Sequence, residues 1–151
     1  MQSDFKTISI YIDKHYTLYG VPTTRDKKLG AIVDTNSVKI LNNPYSENDV
    51  ENFINFLFEL CNKTLLETIP KLSGLPNYLG VKSYTQAIRD KKMVLITKDD
   101  CHYIIIPSLR KESPTTHFTL QNDQARKVRI NYPSGHLAKE FMNILKKYFP
   151  D

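Results

Sequence analysis

Asp99, Asp100, Cys101 and His102 stand side by side in the stretch Lys98 to Arg110, KDDCHYIIIPSLR. All four are types that bind metals or move protons, so the cluster could be a metal site or a nucleophile with its base. The surrounding residues favour another use. Met93 to Thr97 and Cys101 to Ile106 have the composition of two strands, closed into a hairpin by Lys98, Asp99 and Asp100. Adjacent side chains of a strand point to opposite faces, which separates Cys101 from His102. Aspartates suit a turn because their carboxylates bond nearby backbone amides. Tyr103 and Ile105 share one face, Ile104 and Ile106 the other, and two apolar faces describe an interior strand covered on both sides.

The remaining candidates are dispersed. His15, His117 and His136 lie far apart, and the chain has no HExxH, no GxSxG and no His/Cys quartet at zinc spacing. Its isolated glycines make no phosphate-cradling loop. The expectation is a protein with no catalytic residue, no metal and no cofactor. Cys61 and Cys101 lack the close spacing of a redox or zinc pair, so both are expected to be free and largely buried thiols.

The elements that must position these residues belong to a chain of 151 residues, the size of one domain, and 40% hydrophobic content supports a packed core over 1–151. No apolar run approaches the ~18–20 residues that span a bilayer. A soluble, cytoplasmic protein is expected. The net charge of +5 is uneven: +2 over 1–45, −4 over 46–70 and +7 over 71–151.

Ile8, Ile10 and Ile12 alternate with Thr7, Ser9 and Tyr11 up to Asp13-Lys14, and His15 to Val21 follow, which predicts a first hairpin. Thr23 to Lys28 reads as a polar loop and LGAIVD as a short strand. The clearest helix is SENDVENFINFLFELCNK, with Ser46 as N-cap and Asp49 completing a capping box. Val50, Phe53, Leu57 and Cys61 form its apolar stripe, broadened by Ile54, Phe58 and Leu60, and Glu47, Glu51, Asn55 and Glu59 its opposite, solvated face. A short helix before Pro70 and an irregular stretch follow, then a short helix capped by Ser83. Beyond a loop at 110–116, HFTL and RKVRINY are extended, the latter with Val128, Ile130 and Tyr132 opposite Lys127, Arg129 and Asn131. Ser134 caps a final helix whose buried stripe is Leu137, Phe141, Ile144, Leu145 and Tyr148.

Two binding readings arise from the charges. Arg126, Lys127 and Arg129 beside Tyr132 could track a phosphate backbone, as in a small RNA- or single-strand-binding module. Against it, the aromatic sits on the face that the core would claim. The acidic helix face could instead dock a basic partner, where a row of carboxylates accelerates encounter.

From Leu75 onward, LPNYLGVKSYTQAIRDKKMVLITKDDCHYIIIPSLR resembles the contact-dependent growth inhibition immunity proteins, the CdiI family. The resemblance lies in the motif Gly80-Val81-Lys82-Ser83-Tyr84 opening a short helix, in the strand ending Ile104-Ile105-Ile106-Pro107, and in the basic loop with Arg110 and Lys111. Tyr84 stands where the family tends to have Trp, and the net charge is positive where a nuclease inhibitor is often acidic. The resemblance implies a cytoplasmic antitoxin, not an enzyme, that binds the C-terminal toxin domain of a CdiA effector in a 1:1 complex. Family toxins are commonly nucleases. The expected fold is a single α+β domain: a mainly antiparallel central sheet of about five strands flanked by helices at 46–62 and 134–148. The expected toxin contacts are Glu47, Glu51, Asn55 and Glu59, with Asp99 and Asp100 as a second patch.

Overall fold

The structure, a computed structural model, describes residues 5–67, 70, 72–112 and 116–148. Alternating isoleucines build β1 (Lys6–Ile12), which pairs on one side with β2 (Leu18–Arg25) and on the other with β5 (Lys92–Lys98), Ile8 opposite Ile96 and Ile10 opposite Val94. β6 (His102–Lys111) continues the sheet beyond β5. Short strands finish both margins. β3 (Ile32–Asp34) and β4 (Lys39–Leu41) pair with opposite ends of β2, and β7 (His117–Leu120) and β8 (Arg126–Arg129) with opposite ends of β6. All these pairings are antiparallel, as expected, and the sheet has eight strands rather than about five because these short margins carry little pattern of their own.

The two faces of the sheet are covered by different helices. Ile8, Ile10, Ile12, Val94, Ile96, Tyr103 and Ile105 pack beneath α1 (Glu47–Leu60) and α4 (His136–Tyr148). Tyr11, Val21 and Met93 point the other way, under α2 (Leu75–Leu79) and α3 (Tyr84–Ala87), with Leu75, Ala87 and Ile88. β6 is interior to the sheet, between β5 on one side and β7 and β8 on the other. Tyr103 and Ile105 lie in the α1 and α4 core, while on the opposite face Ile106 is buried and Ile104 only half-buried, so that face is less fully covered than the sequence predicts. Each large apolar side chain so buried contributes roughly 1.5–3 kcal/mol.

Local sequence explains α1 well. The Ser46 hydroxyl accepts from the Asp49 amide at 3.1 Å and Asp49 accepts from the Ser46 amide at 3.0 Å, the predicted capping box. Val50, Phe53, Ile54, Leu57, Phe58 and Cys61 are buried. The helix can lie close on β2 because residue 20 is glycine: a Cβ there would stand 2.9 Å from the Phe53 ring and nearer still to Leu57. Gly20→Ala would force these side chains apart.

Several expectations are corrected. β2 runs on to Arg25, so Thr23 to Arg25 is strand rather than loop, and Thr23 and Thr24 are buried. Thr64 to Glu67 is not helical; the helix of this region is α2, inside the stretch read as irregular. The end of the segment before Pro70 lies outside the described residues. β6 extends through Pro107 to Lys111, because β7 pairs with its far end. Cys101 is exposed, since the strand begins one residue later, while Cys61 is buried. The side chain of Tyr148 lies outside the described residues. No helix among them is long and apolar enough to cross a membrane.

Candidate binding surface

The Asp99 carboxylate accepts from the backbone amides of Cys101 and His102, both at 2.7 Å, and the Asp99 amide donates to the His102 carbonyl at 3.0 Å. Those two amides hold the carboxyl below its ordinary range. Asp99 thus builds the β5–β6 turn, and Asp100 is exposed beside it. Among the described residues no three His, Cys, Asp or Glu side chains converge as a metal site would require.

The face of α1 predicted to be wet is divided by α4. Glu47 and Glu59 are exposed, as expected. Glu51 is not: it is 8% exposed, and its two carboxylate oxygens accept from the Gly135 amide at 2.6 Å and the Ala138 amide at 3.0 Å. Free amides at a helix start favour an anion, and here Glu51 supplies it from another helix, the task the sequence assigns to Ser134. Asn55 is half-buried; it accepts from the Tyr103 hydroxyl at 2.9 Å and donates to the Tyr132 hydroxyl at 3.3 Å. Neither Glu51 nor Asn55 is free to contact a partner in the manner expected. The outward stripe is rotated by about one residue, to Asn48, Asn52, Phe56 and Glu59.

Phe56 went unnoticed in the sequence because it breaks the apolar stripe. It is 46% exposed, with the Lys39 ammonium 5.9 Å from its ring centroid and Ile40, on β4, also exposed. Leu29, Ile32, Leu65 and Leu72 are exposed as well, so most of the large exposed apolar side chains fall between residues 29 and 72, around the margin formed by β3, β4 and α1. An aromatic among carboxylates, amides and aliphatics matches the composition of a protein interface centre with a polar rim.

The basic strand is differently arranged. Arg126 bonds Glu140 at 3.2 Å, while Lys127 and Arg129 are exposed. Tyr132 packs edge-on against Tyr103, centroids 5.7 Å apart, on the α1 side. Its ring is not presented with those cations.

The architecture defines a class, an antiparallel α+β sheet with two long helices on one face and two short ones on the other. No protein-family model and no curated protein matches the chain. Solved structures do. A protein of unknown function from Neisseria meningitidis matches with a TM-score of 0.65 at 9% identity, over 93% of this chain and 92% of that one. A CdiA-CT/CdiI toxin and immunity complex from Yersinia pseudotuberculosis supplies a chain that matches with a TM-score of 0.64, also at 9% identity, over 94% of this chain and 96% of that one. At such identity the likeness is one of fold.

Proposed function

We propose that this chain is one immunity-protein-like unit that binds and neutralises, in a 1:1 complex in the cytoplasm, the C-terminal toxin domain of a contact-dependent growth inhibition effector. The supporting observation is the shared fold, nearly end to end, with a chain of a CdiA-CT/CdiI complex. The reactive-looking side chains agree with this reading, since Asp99 holds a turn and Glu51 holds a helix. Inhibition then comes from covering a surface, for which a stable complex typically buries about 1,600 Å². A nuclease toxin suits the local charge: residues 46–70 carry −4 within a chain of +5, and a cationic groove would be drawn to that segment. Phe56 forms the apolar centre of the contact, Glu47 and Glu59 steer, and Asp99 and Asp100 are a second contact.

Producing the toxin domain of a candidate effector in cells should arrest growth, and co-producing this chain should restore it, with a 1:1 complex on light scattering. Absence of both rescue and complex would end the reading. Glu47→Lys with Glu59→Lys should slow association about tenfold at low salt, a difference that screening shrinks at high salt. Unchanged association would place the interface elsewhere. The alternative, a nucleic-acid module using Arg126, Lys127 and Arg129, predicts salt-sensitive binding to arbitrary oligonucleotides; the inward packing of Tyr132 disfavours it.

A further inference from the structure

Between the C-terminal end of α1 and the connection from β3 to β4 lies a cavity of about 350 Å³, lined among others by Thr24, Asp34, Ser37, Lys63, Thr64 and Ser73. Its walls are held by their own hydrogen bonds. The Thr24 hydroxyl donates to the Thr64 carbonyl at 2.7 Å, the Thr35 hydroxyl to the Pro22 carbonyl at 2.9 Å, and the Gly74 amide to the Asn36 side chain at 3.0 Å. Gly74, at φ +73°, brings its backbone so near Asp34 that a Cβ would stand 2.8 Å from that of Asp34.

Asp34 differs from every wall group just named. No hydrogen bond or ion pair among the described residues engages its carboxylate, which is half-buried in the cavity wall and keeps some contact with solvent. Lys63 lines the same cavity without pairing with it. A partly desolvated carboxylate lacking a counter-charge is unfavourable, and an approaching cation offsets the penalty. The cavity has room for the head of a long cationic side chain, since pockets that enclose small ligands begin near about 300 Å³. Leu60 lines it, and Phe56 precedes Leu60 by one turn on α1, so the cavity continues the exposed apolar face. Apolar rims suit the methylene stems of lysine and arginine.

We infer that this cavity receives a lysine or arginine side chain of the bound partner protein, with Asp34 as its counter-ion. The partner's identity rests on the toxin-binding reading; the chemistry of the cavity does not.

The experiment has two arms. In the first, amide resonances of the full chain are followed while N-acetyl-arginine amide, or its neutral isostere N-acetyl-citrulline amide, is added. Asp34, Ser37 and Thr64 should shift with the arginine compound alone, and Asp34→Asn should abolish the response. Equal shifts with both compounds, or an unaltered response in the variant, would overturn the site. In the second arm the toxin domain is bound to wild type and to Asp34→Asn. The variant should dissociate at least about tenfold faster with an unchanged association rate, as for a buried rather than a peripheral charge, and its melting temperature should not fall. Equal dissociation rates would overturn the partner's place in the cavity. A wild-type protein that takes the arginine compound but binds no toxin would instead overturn the immunity reading and leave the cation site standing.

Discussion

Glu51 and Asp34 are both carboxylates turned inward, Glu51 buried between α1 and α4, Asp34 half-buried beneath the margin formed by β3 and α2. Glu51 meets two amides within 3.0 Å, and its neighbour Asn55 meets two tyrosine hydroxyls. Asp34 meets a cavity. Polar groups of the first region are satisfied inside the chain, which ties helix to helix and both to β6. In the second region a charge stays uncompensated, and exposed apolar side chains gather nearby along the chain. On the proposed reading the difference separates scaffold from recognition surface: internal completion gives rigidity, and incompletion gives a place that another molecule can complete.

The largest effect expected from this contrast falls on stability. Glu51→Ala leaves the Gly135 and Ala138 amides without their acceptor and removes an anion from the start of α4. One buried and one half-buried donor, lost at about 1–3 kcal/mol and about 1 kcal/mol, suggest about 3 kcal/mol in total. For a chain of this size that lowers the melting temperature by about 9 °C. Glu47→Ala, on the same helix but exposed, should change it by less than about 2 °C, within the ordinary range for surface substitutions. Calorimetry on the two variants compares them directly, and equal losses would erase the distinction between the regions.

Asp34 should respond with the opposite sign. Burial raises its pKa from 3.8 to about 6. A carboxyl whose folded pKa is raised binds its proton more tightly in the native state, so its contribution to stability is most favourable below about pH 4 and is lost as pH rises through about 6. The facing groups are the Tyr11 and Tyr84 hydroxyls, from β1 and α3, which burial raises above their ordinary range and which therefore stay uncharged across that window. Ionisation at neutral pH costs on the order of 3 kcal/mol. Asparagine, still polar and without a partner, recovers only part of it. Asp34→Asn should therefore be more stable than wild type at pH 7 by about 1 kcal/mol, or about 3 °C, and the gap should close below about pH 4. A variant less stable at pH 7 would mean that the carboxylate already has a partner in the folded chain. A stabilising change that weakens binding is the usual trade at a recognition site.

The sequence carried the elements whose signals are local. Period-two isoleucines mark β1, the capping box marks the start of α1, and doubly apolar alternation marks β6 as interior. It could not carry what depends on docking. The outward face of α1 lies about one residue from the position its periodicity predicts because the arrival of α4 buries Glu51, a contact between residues 84 positions apart. Asp34 gave no signal at all, for its character is set by a cavity assembled from residues 24 to 73. Phe56 was visible only as an interruption, whereas the structure makes it the most prominent aromatic of the helix surface.

Tyr84, the aromatic of the Gly80 to Tyr84 motif, offers the most discriminating test. Its hydroxyl bonds that of Tyr11 at 2.7 Å, and the rings meet edge-on with centroids 6.2 Å apart. Tyr11 is 2% exposed and Tyr84 38%. Removing the Tyr84 hydroxyl leaves the buried Tyr11 hydroxyl with only the Ser9 side chain as partner, whereas removing that of Tyr11 leaves one that water can reach. Tyr84→Phe should cost about 1.5 kcal/mol and Tyr11→Phe about 0.5 kcal/mol. The double variant should resemble Tyr11→Phe, since nothing buried is then left unpaired. Binding of the arginine compound at Asp34 should survive in all three, because the two hydroxyls face Asp34 without bonding it and lend the cavity no hydrogen bond. Loss of that binding with folding intact would join the two sites, and the line between scaffold and recognition surface would have to be moved to include α3.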